Sequence, residues 1–293
     1  MIQIPEISEV NKIIPKAQRI SFVSKGGFKY VYKAEFKDGI EAVKLVKIPT
    51  DEKNETIKQE NIRRVQREIN ILGKCKSPFL VKLGRIIPAE IFIENENYII
   101  YSEEFLEGLS LRERIKDGKR PDIKELATLM KCLLSAVREI ASQNVIHRDI
   151  KPENIMALND KLRHFVLLDL GIAYVVGGTA LTRDPRAIPG TLYYLAPEML
   201  DLNFRKSLDY RADLYTCGLT VYEYAAGKNP FARTDDPEFT TLYRIKIQQP
   251  PPLSSLCDLP ADFCDIIDGL LKKKPVLRPA NINLLTAKME GFI

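Results

Sequence analysis

No apolar run in the 293 residues approaches the ~18 needed to cross a bilayer, so no membrane span is expected. The five cysteines (Cys75, Cys132, Cys217, Cys257, Cys264) are odd in number and contain no CxxC pair. That spacing disfavours both a disulfide framework and a zinc site, and fits a reducing compartment. No run of five or more basic residues occurs, and the formal net charge is only +5, from 44 basic against 39 acidic residues. Such a surplus supports affinity for anionic ligands at most and gives no basis for nucleic-acid binding. The opening MIQIPEISEVNK carries Glu6 and Glu9 and lacks the basic-then-apolar layout of a signal peptide, so the expected location is cytoplasmic. Repeats and low-complexity tracts are also missing. What is present is ordinary for a folded chain, 45% apolar and 28% charged residues. The length suits two domains or one large bilobed unit.

Ile20 to Phe36 and Ala42 to Ile48 are rich in Val, Ile, Tyr and Phe and read as strands, broken at Gly26-Gly27 and at the hairpin signal Lys37-Asp38-Gly39. Ile62, Val65, Ile69 and Leu72 recur at steps of three and four, which predicts a helix between Thr50 and Cys75. Short strands are expected near Leu80–Ile87 and Tyr98–Ser102. After Gly108 the pattern turns helical. Ile123 to Gln143 carries one apolar face, and Leu208 to Ala226 is apolar over most of its circumference, as a helix buried inside a lobe would be. Gln248 to Pro252 marks a surface connection. Pro279 suits the first turn of a last helix running toward Met289.

The chemistry-bearing string is His147-Arg148-Asp149-Ile150-Lys151-Pro152-Glu153-Asn154. Leu167-Leu168-Asp169-Leu170-Gly171 follows, with Asp169 fifteen residues beyond Asn154, and then Gly190-Thr191 through Ala196-Pro197-Glu198. Each aspartate alone would be read as a turn residue. The ordered set resembles the eukaryotic-type serine/threonine protein kinase superfamily, from about Ser21 to about Ala287. Leu170 stands where that family usually has Phe. The resemblance implies an α+β, bilobed fold: residues 1–106 form a β-rich nucleotide-binding lobe with one main helix, and 107–293 a mostly helical lobe. Together they make one kinase domain over about 20–287. It further implies ATP with Mg2+ (or Mn2+ in its place) as cofactors. Asp149 orients the acceptor hydroxyl, Lys151 faces the transferring phosphate, and Asn154 and Asp169 offer oxygen ligands to the metal.

In the first lobe, Ser24-Lys25-Gly26-Gly27-Phe28-Lys29-Tyr30-Val31 resembles the family's glycine loop, with Ser24 and Lys29 in place of two of its three glycines. By itself it is an ordinary hairpin tip. Lys44, thirteen residues after Val31, matches the strand lysine that holds phosphates, and Glu68 matches the helix glutamate that pairs with it. Lys29 either adds a second cation or points to solvent, the solvent reading being favoured. Glu104 and Leu106 match the hinge whose backbone meets adenine. Glu103 then guards the pocket behind it, where a carboxylate must find a cation or the register is off by one.

Lys151 to Asn154 and Gly190-Thr191 resemble the serine/threonine branch, so the implied partner is a protein substrate with a serine or threonine acceptor. Glu153 can read a basic residue upstream of the acceptor in some relatives; for one glutamate without a partner, a solvated or ribose-facing role is the plainer reading. Glu198 with Arg278, and Asp213, match scaffold residues, and His147 a packed structural histidine. Arg148 beside Asp149 marks the type often controlled by phosphate on the activation segment, with Thr179 or Thr182 as acceptor, phosphorylated by another kinase or in trans, the latter through a transient homodimer. The alternatives are a pseudokinase, for which only the altered glycine loop speaks, and a small-molecule kinase of similar fold, against which the platform at 190–198 speaks. Nucleic-acid binding rests on the charge alone.

Overall fold

The computed structural model describes all residues except 1–3, 27–28, 49–54, 159–163, 170–191, 202–207 and 234–235, together with the side chains of 55–58, 60–61, 64 and 67–68. The chain divides into two compact units. One contains Met1–Lys74 and Val81–Leu106; the other contains Cys75–Leu80, Glu107–Asp169 and Ile188–Ile293.

The first unit is an antiparallel sheet with a helix against each face. Its strands are β1 (Arg19–Lys25), β2 (Lys29–Phe36), β3 (Gly39–Lys47), β4 (Ala89–Ile93) and β5 (Glu96–Glu104), in the order β1-β2-β3-β5-β4. Alternation along β2 and β3 gives each face its own core. Tyr30, Tyr32, Ala34, Val43, Leu45, Tyr98 and Ile100 pack with Val10 and Ile14, beside α1 (Ile7–Ile13), which the sequence reading did not anticipate. Tyr32 donates its hydroxyl to the Pro5 carbonyl at 2.6 Å, tying this N-terminal segment to the sheet. On the opposite face Val46, Ile99 and Tyr101 meet Ile62, Val65 and Ile69 of α2 (Glu55–Lys74), the periodic residues that predict this helix. The β4–β5 hairpin turns through Glu94 and Asn95, both at positive φ, the geometry of a tight two-residue turn. The strand expected near Leu80–Ile87 is not a strand. Leu80 and Leu83 make isolated bridges, and the regular strand starts only after Pro88, which has no N–H to donate.

In the second unit β6 (Gly108–Ser110), β7 (Ile155–Leu158) and β8 (Phe165–Leu167) form a small antiparallel sheet. Then come α3 (Leu111–Lys116), α4 (Ile123–Ser142), α5 (Arg211–Ala226), α6 (Glu238–Ile247), α7 (Ala261–Leu270) and α8 (Ile282–Glu290). Asp122 caps α4 by accepting from Glu125 N at 2.8 Å, and Ser110 with Glu113 forms a capping box on α3. In α5 every residue from Ala212 to Ala226 is buried, as its all-round apolar sequence requires. Gly227 ends it at φ +73, a backbone state that favours glycine. The last helix starts at Ile282, capped by Asn281, rather than at Pro279.

Candidate active site

The second unit builds its site around a buried carboxylate. Asp213, in the first turn of α5, accepts the backbone N–H of His147 at 2.8 Å and of Arg148 at 2.9 Å. Burial pushes its carboxyl above the usual range, while His147 and these two N–H groups pull it back. His147 is buried; its Nε2 lies 3.2 Å from the Leu168 carbonyl and its Nδ1 accepts from Asp149 N at 3.3 Å. The loop is thereby held from both ends in a conformation it would not choose freely. Arg148 stands at φ +68 and Asp169 at φ +50, both unfavourable for residues other than glycine.

The Asp149 carboxylate accepts three hydrogen bonds from two donor groups. Lys151 Nζ reaches its two oxygens at 2.7 and 2.8 Å, and Asn154 Nδ2 reaches Oδ2 at 2.7 Å and the Asp149 carbonyl at 2.8 Å. The turn Pro152–Asn154 makes this possible by folding Asn154 back, with Asn154 N bonded to Lys151 O at 2.9 Å. Asn154 is also joined to the strand leading to Asp169: its carbonyl accepts Leu168 N at 2.8 Å, and Ile155 pairs with Leu167. Asp149, Lys151, Asn154 and Asp169 therefore share one end of the β7–β8 pair. Asn154 Oδ1, just before β7, and the Asp169 carboxylate, just after β8, are oxygen donors, a donor set that fits a hard divalent cation.

In the first unit Lys44 on β3 is 4% exposed and forms an ion pair with Glu103, which is 1% exposed on β5. The register explains it. Ala42 pairs with Glu103 and Lys44 with Tyr101, so Lys44 and Glu103 are diagonal neighbours on one face. The Lys44 ammonium also lies 5.8 Å from the centre of the Tyr101 ring. Glu103 has thus found its cation. Lys29 is not a solvent-facing residue: it is 9% exposed and, through the pairings Lys29–Val46 and Val31–Lys44, shares the Lys44 face. Ser24 is exposed and pairs with Val31, and Gly26 N bonds to Lys29 O at 2.8 Å across the hairpin mouth. Glu104 N is bonded to Lys82 O at 2.9 Å, and Leu106 lies beyond the end of β5. Gly27, Gly171, Thr179, Thr182, Gly190, Thr191 and the side chain of Glu68 lie outside the described residues.

Two supports complete the second unit. Arg278 makes a bidentate pair with Glu198, at 2.6 and 2.7 Å, and also donates to the carbonyls of Arg211, Lys272 and Lys273. Arg112 on α3 bridges Glu153, Glu223 and Tyr194, a cluster that sequence reasoning missed because no spacing rule links three separate elements.

The model of the protein kinase domain matches residues 18–289. The chain belongs to the protein kinase domain family. It is 31% identical over 273 residues to the serine/threonine-protein kinase KIC1 of Saccharomyces cerevisiae, covering 92% of this chain and 23% of that one. A protein of Clostridium perfringens described as a probable serine/threonine-protein kinase is 29% identical over 260 residues, covering 87% of this chain and 35% of the relative. Serine/threonine-protein kinase 36 of Pongo abelii is 28% identical over 256 residues, with 87% and 18% covered. The chain therefore spans about a third or less of these relatives. Among solved structures, the kinase domain of PknI from Mycobacterium tuberculosis shares the fold, with a TM-score of 0.63 at 18% identity over 94% of this chain and 97% of that one. Among the described residues no helix is long and apolar enough to cross a membrane.

Proposed function

We propose that this kinase domain transfers the γ-phosphate of ATP to serine or threonine hydroxyls of protein substrates, in the cytoplasm. The observation that carries the reading is the clasp on Asp149, whose carboxylate is aimed by Lys151 and Asn154 in a loop pinned by Asp213. Asp149 accepts the proton of the acceptor hydroxyl as it attacks, and Lys151 meets the charge gathering on the transferring phosphoryl group. Asn154 and Asp169 would hold Mg2+, which would supply neutralising charge to the phosphates. In the first unit Lys44, kept in place by Glu103, contacts the α- and β-phosphates. Lys29, buried on the same face, adds a second cation, with Ser24, Gly26, Gly27 and Val31 framing the loop. Glu104, with its N–H bonded to Lys82, offers adenine its carbonyl, and Leu106 its backbone.

Asp149→Asn is expected to lower transfer to a generic protein substrate by about 10²–10⁴-fold, the usual weight of a general base, while ATP still binds. Undiminished transfer would sink the assignment. No transfer by the intact chain, with ATP bound, would point to the pseudokinase instead. Lys44→Ala is expected to cost more turnover than Lys29→Ala, and near-normal turnover in Lys44→Ala would reverse their roles.

Control belongs to the same proposal. The buried Nε of Arg148 has no hydrogen-bond partner among the described residues, and a phosphate on Thr179 or Thr182 supplies one, placed there in trans by a transient homodimer. Mass spectrometry after incubation with ATP should find that phosphate. A clean segment between Ala173 and Pro189 would remove the regulatory part.

A further inference from the structure

Glu223 sits in α5 with a side chain only 3% exposed, so its charge must be met inside the protein. One guanidinium meets it. Arg112 donates from Nη1 to Glu223 at 2.6 Å, from Nε to Glu153 at 2.7 Å and from Nη2 to the Tyr194 hydroxyl at 2.5 Å. Tyr194 in turn donates to Glu223, and Asn229 Nδ2 lies 3.4 Å from the same carboxylate. Arg112 is well placed for this because the capping box of Ser110 and Glu113 fixes the first turn of α3.

Glu153 makes the cluster more than scaffolding. It lies in the turn Pro152–Asn154, four residues from Asp149, and its side chain is 38% exposed. Four residues span at most roughly 14 Å. An extended peptide advances about 3.3 Å per residue. A substrate whose hydroxyl meets Asp149 therefore carries the residue two or three places away past Glu153, within reach of a long basic side chain. Two carboxylates gathered there would select such a residue, but the place is already filled.

We propose that Arg112 is a resident occupant of a cation subsite on the peptide-binding face. It neutralises Glu153 and Glu223, so the enzyme does not require a basic residue two or three positions from the acceptor, and its removal uncovers that preference. The inference rests on the phosphotransfer reading above.

The test is a set of serine peptides carrying Arg or Ala at −3, −2, +2 or +3. For the intact chain, kcat/KM for the Arg and Ala peptides is expected to agree within about threefold at each position. Arg112→Gln, whose neutral side chain ends at the depth of Nε and so gives up both the charge and the Nη donors to Glu223 and Tyr194, should favour Arg by about 10- to 100-fold at one position, the worth of a hydrogen bond to a charged group. Adding Glu153→Gln should remove most of that gain. Should Arg112→Gln not fold, Glu153→Gln alone decides: it is expected to leave the Arg-to-Ala ratio unchanged, because its carboxylate is already spent. A tenfold preference for Arg in the intact chain, a fall of the ratio in Glu153→Gln, or an Arg112→Gln enzyme active on Ala peptides but without selectivity would each overturn the proposal. Loss of transfer to every peptide by the intact chain would instead refute the phosphotransfer reading.

Discussion

A lysine and a glutamate on neighbouring strands are usually two surface charges. Lys44 and Glu103 differ because both point into a face covered by α2, where neither charge can reach water. Removing the Glu103 charge takes from the strand lysine the ion pair that steadies its ammonium. Glu103→Gln keeps the shape and removes the charge. The ATP KM is expected to rise about tenfold, equivalent to ~1.4 kcal/mol, with the peptide KM unchanged within about twofold. Steady-state kinetics in both substrates checks it; an unaltered ATP KM would mean that Lys44 is held adequately by other groups. The sequence made Glu103 conspicuous as an acid among Ile99, Ile100, Tyr101 and Ser102 but did not identify its partner. That partner lies 59 residues away, and a one-residue change of register would have turned it to the other face. Lys29 was misjudged for a related reason: a lysine beside two glycines reads as exposed until the pairing with Val46 puts it on the inner face.

Elements were legible where their period was strong. The apolar steps at Ile62, Val65, Ile69 and Leu72, and the full apolar girth of α5, predict the helices that are found. Helix α1 was missed because only Val10 of its seven residues is buried, too little for a periodic signal. The tight Glu94-Asn95 turn was missed because Glu is not a residue associated with positive φ. Contacts between helices leave less trace in a sequence. Gly218, inside α5, is one: a Cβ there would lie 2.8 Å from Leu270 Cβ of α7, closer than two such atoms can approach. Gly218→Ala sets two effects against each other, since alanine improves helix propensity by ~1 kcal/mol and overpacking costs ~1–3 kcal/mol. The opposing Cβ belongs to a rigid part of its side chain, so packing should prevail. A lowered Tm is expected, and a raised one would show that α5 and α7 can separate at little cost.

At the scale of the whole molecule, buried ionisable groups set how stability responds to pH, and they do not all act in one direction. Burial raises the carboxyls of Asp213 and Asp268 and the thiols of Cys132, Cys217 and Cys264. For such groups the folded chain holds more protons than the unfolded one, so each withdraws stability as pH rises. Lys273 acts in the opposite sense. Its ammonium is half-buried, donates to the Ile245 carbonyl at 2.7 Å and lies 4.3 Å from the centre of the Phe231 ring. Burial, with Arg278 nearby, lowers it to about 7. The unfolded lysine titrates near ~10.4. Below about 7 both states are protonated and the folded state bears the whole cost. Between there and ~10.4 the unfolded state keeps a proton the folded one has given up, so this group adds stability as pH rises. The ring face favours the charged form and reduces the effect, leaving it of order 2 kcal/mol. Lys273→Met keeps the apolar stem and removes the titration. Subtracting the variant's unfolding curve from that of the intact chain at each pH cancels the carboxyls and thiols common to both. The difference should grow in favour of the intact chain from pH 6.5 to 9.5. A flat difference would mean that Lys273 keeps its proton in the folded state, stabilised by Phe231 more strongly than burial disfavours it.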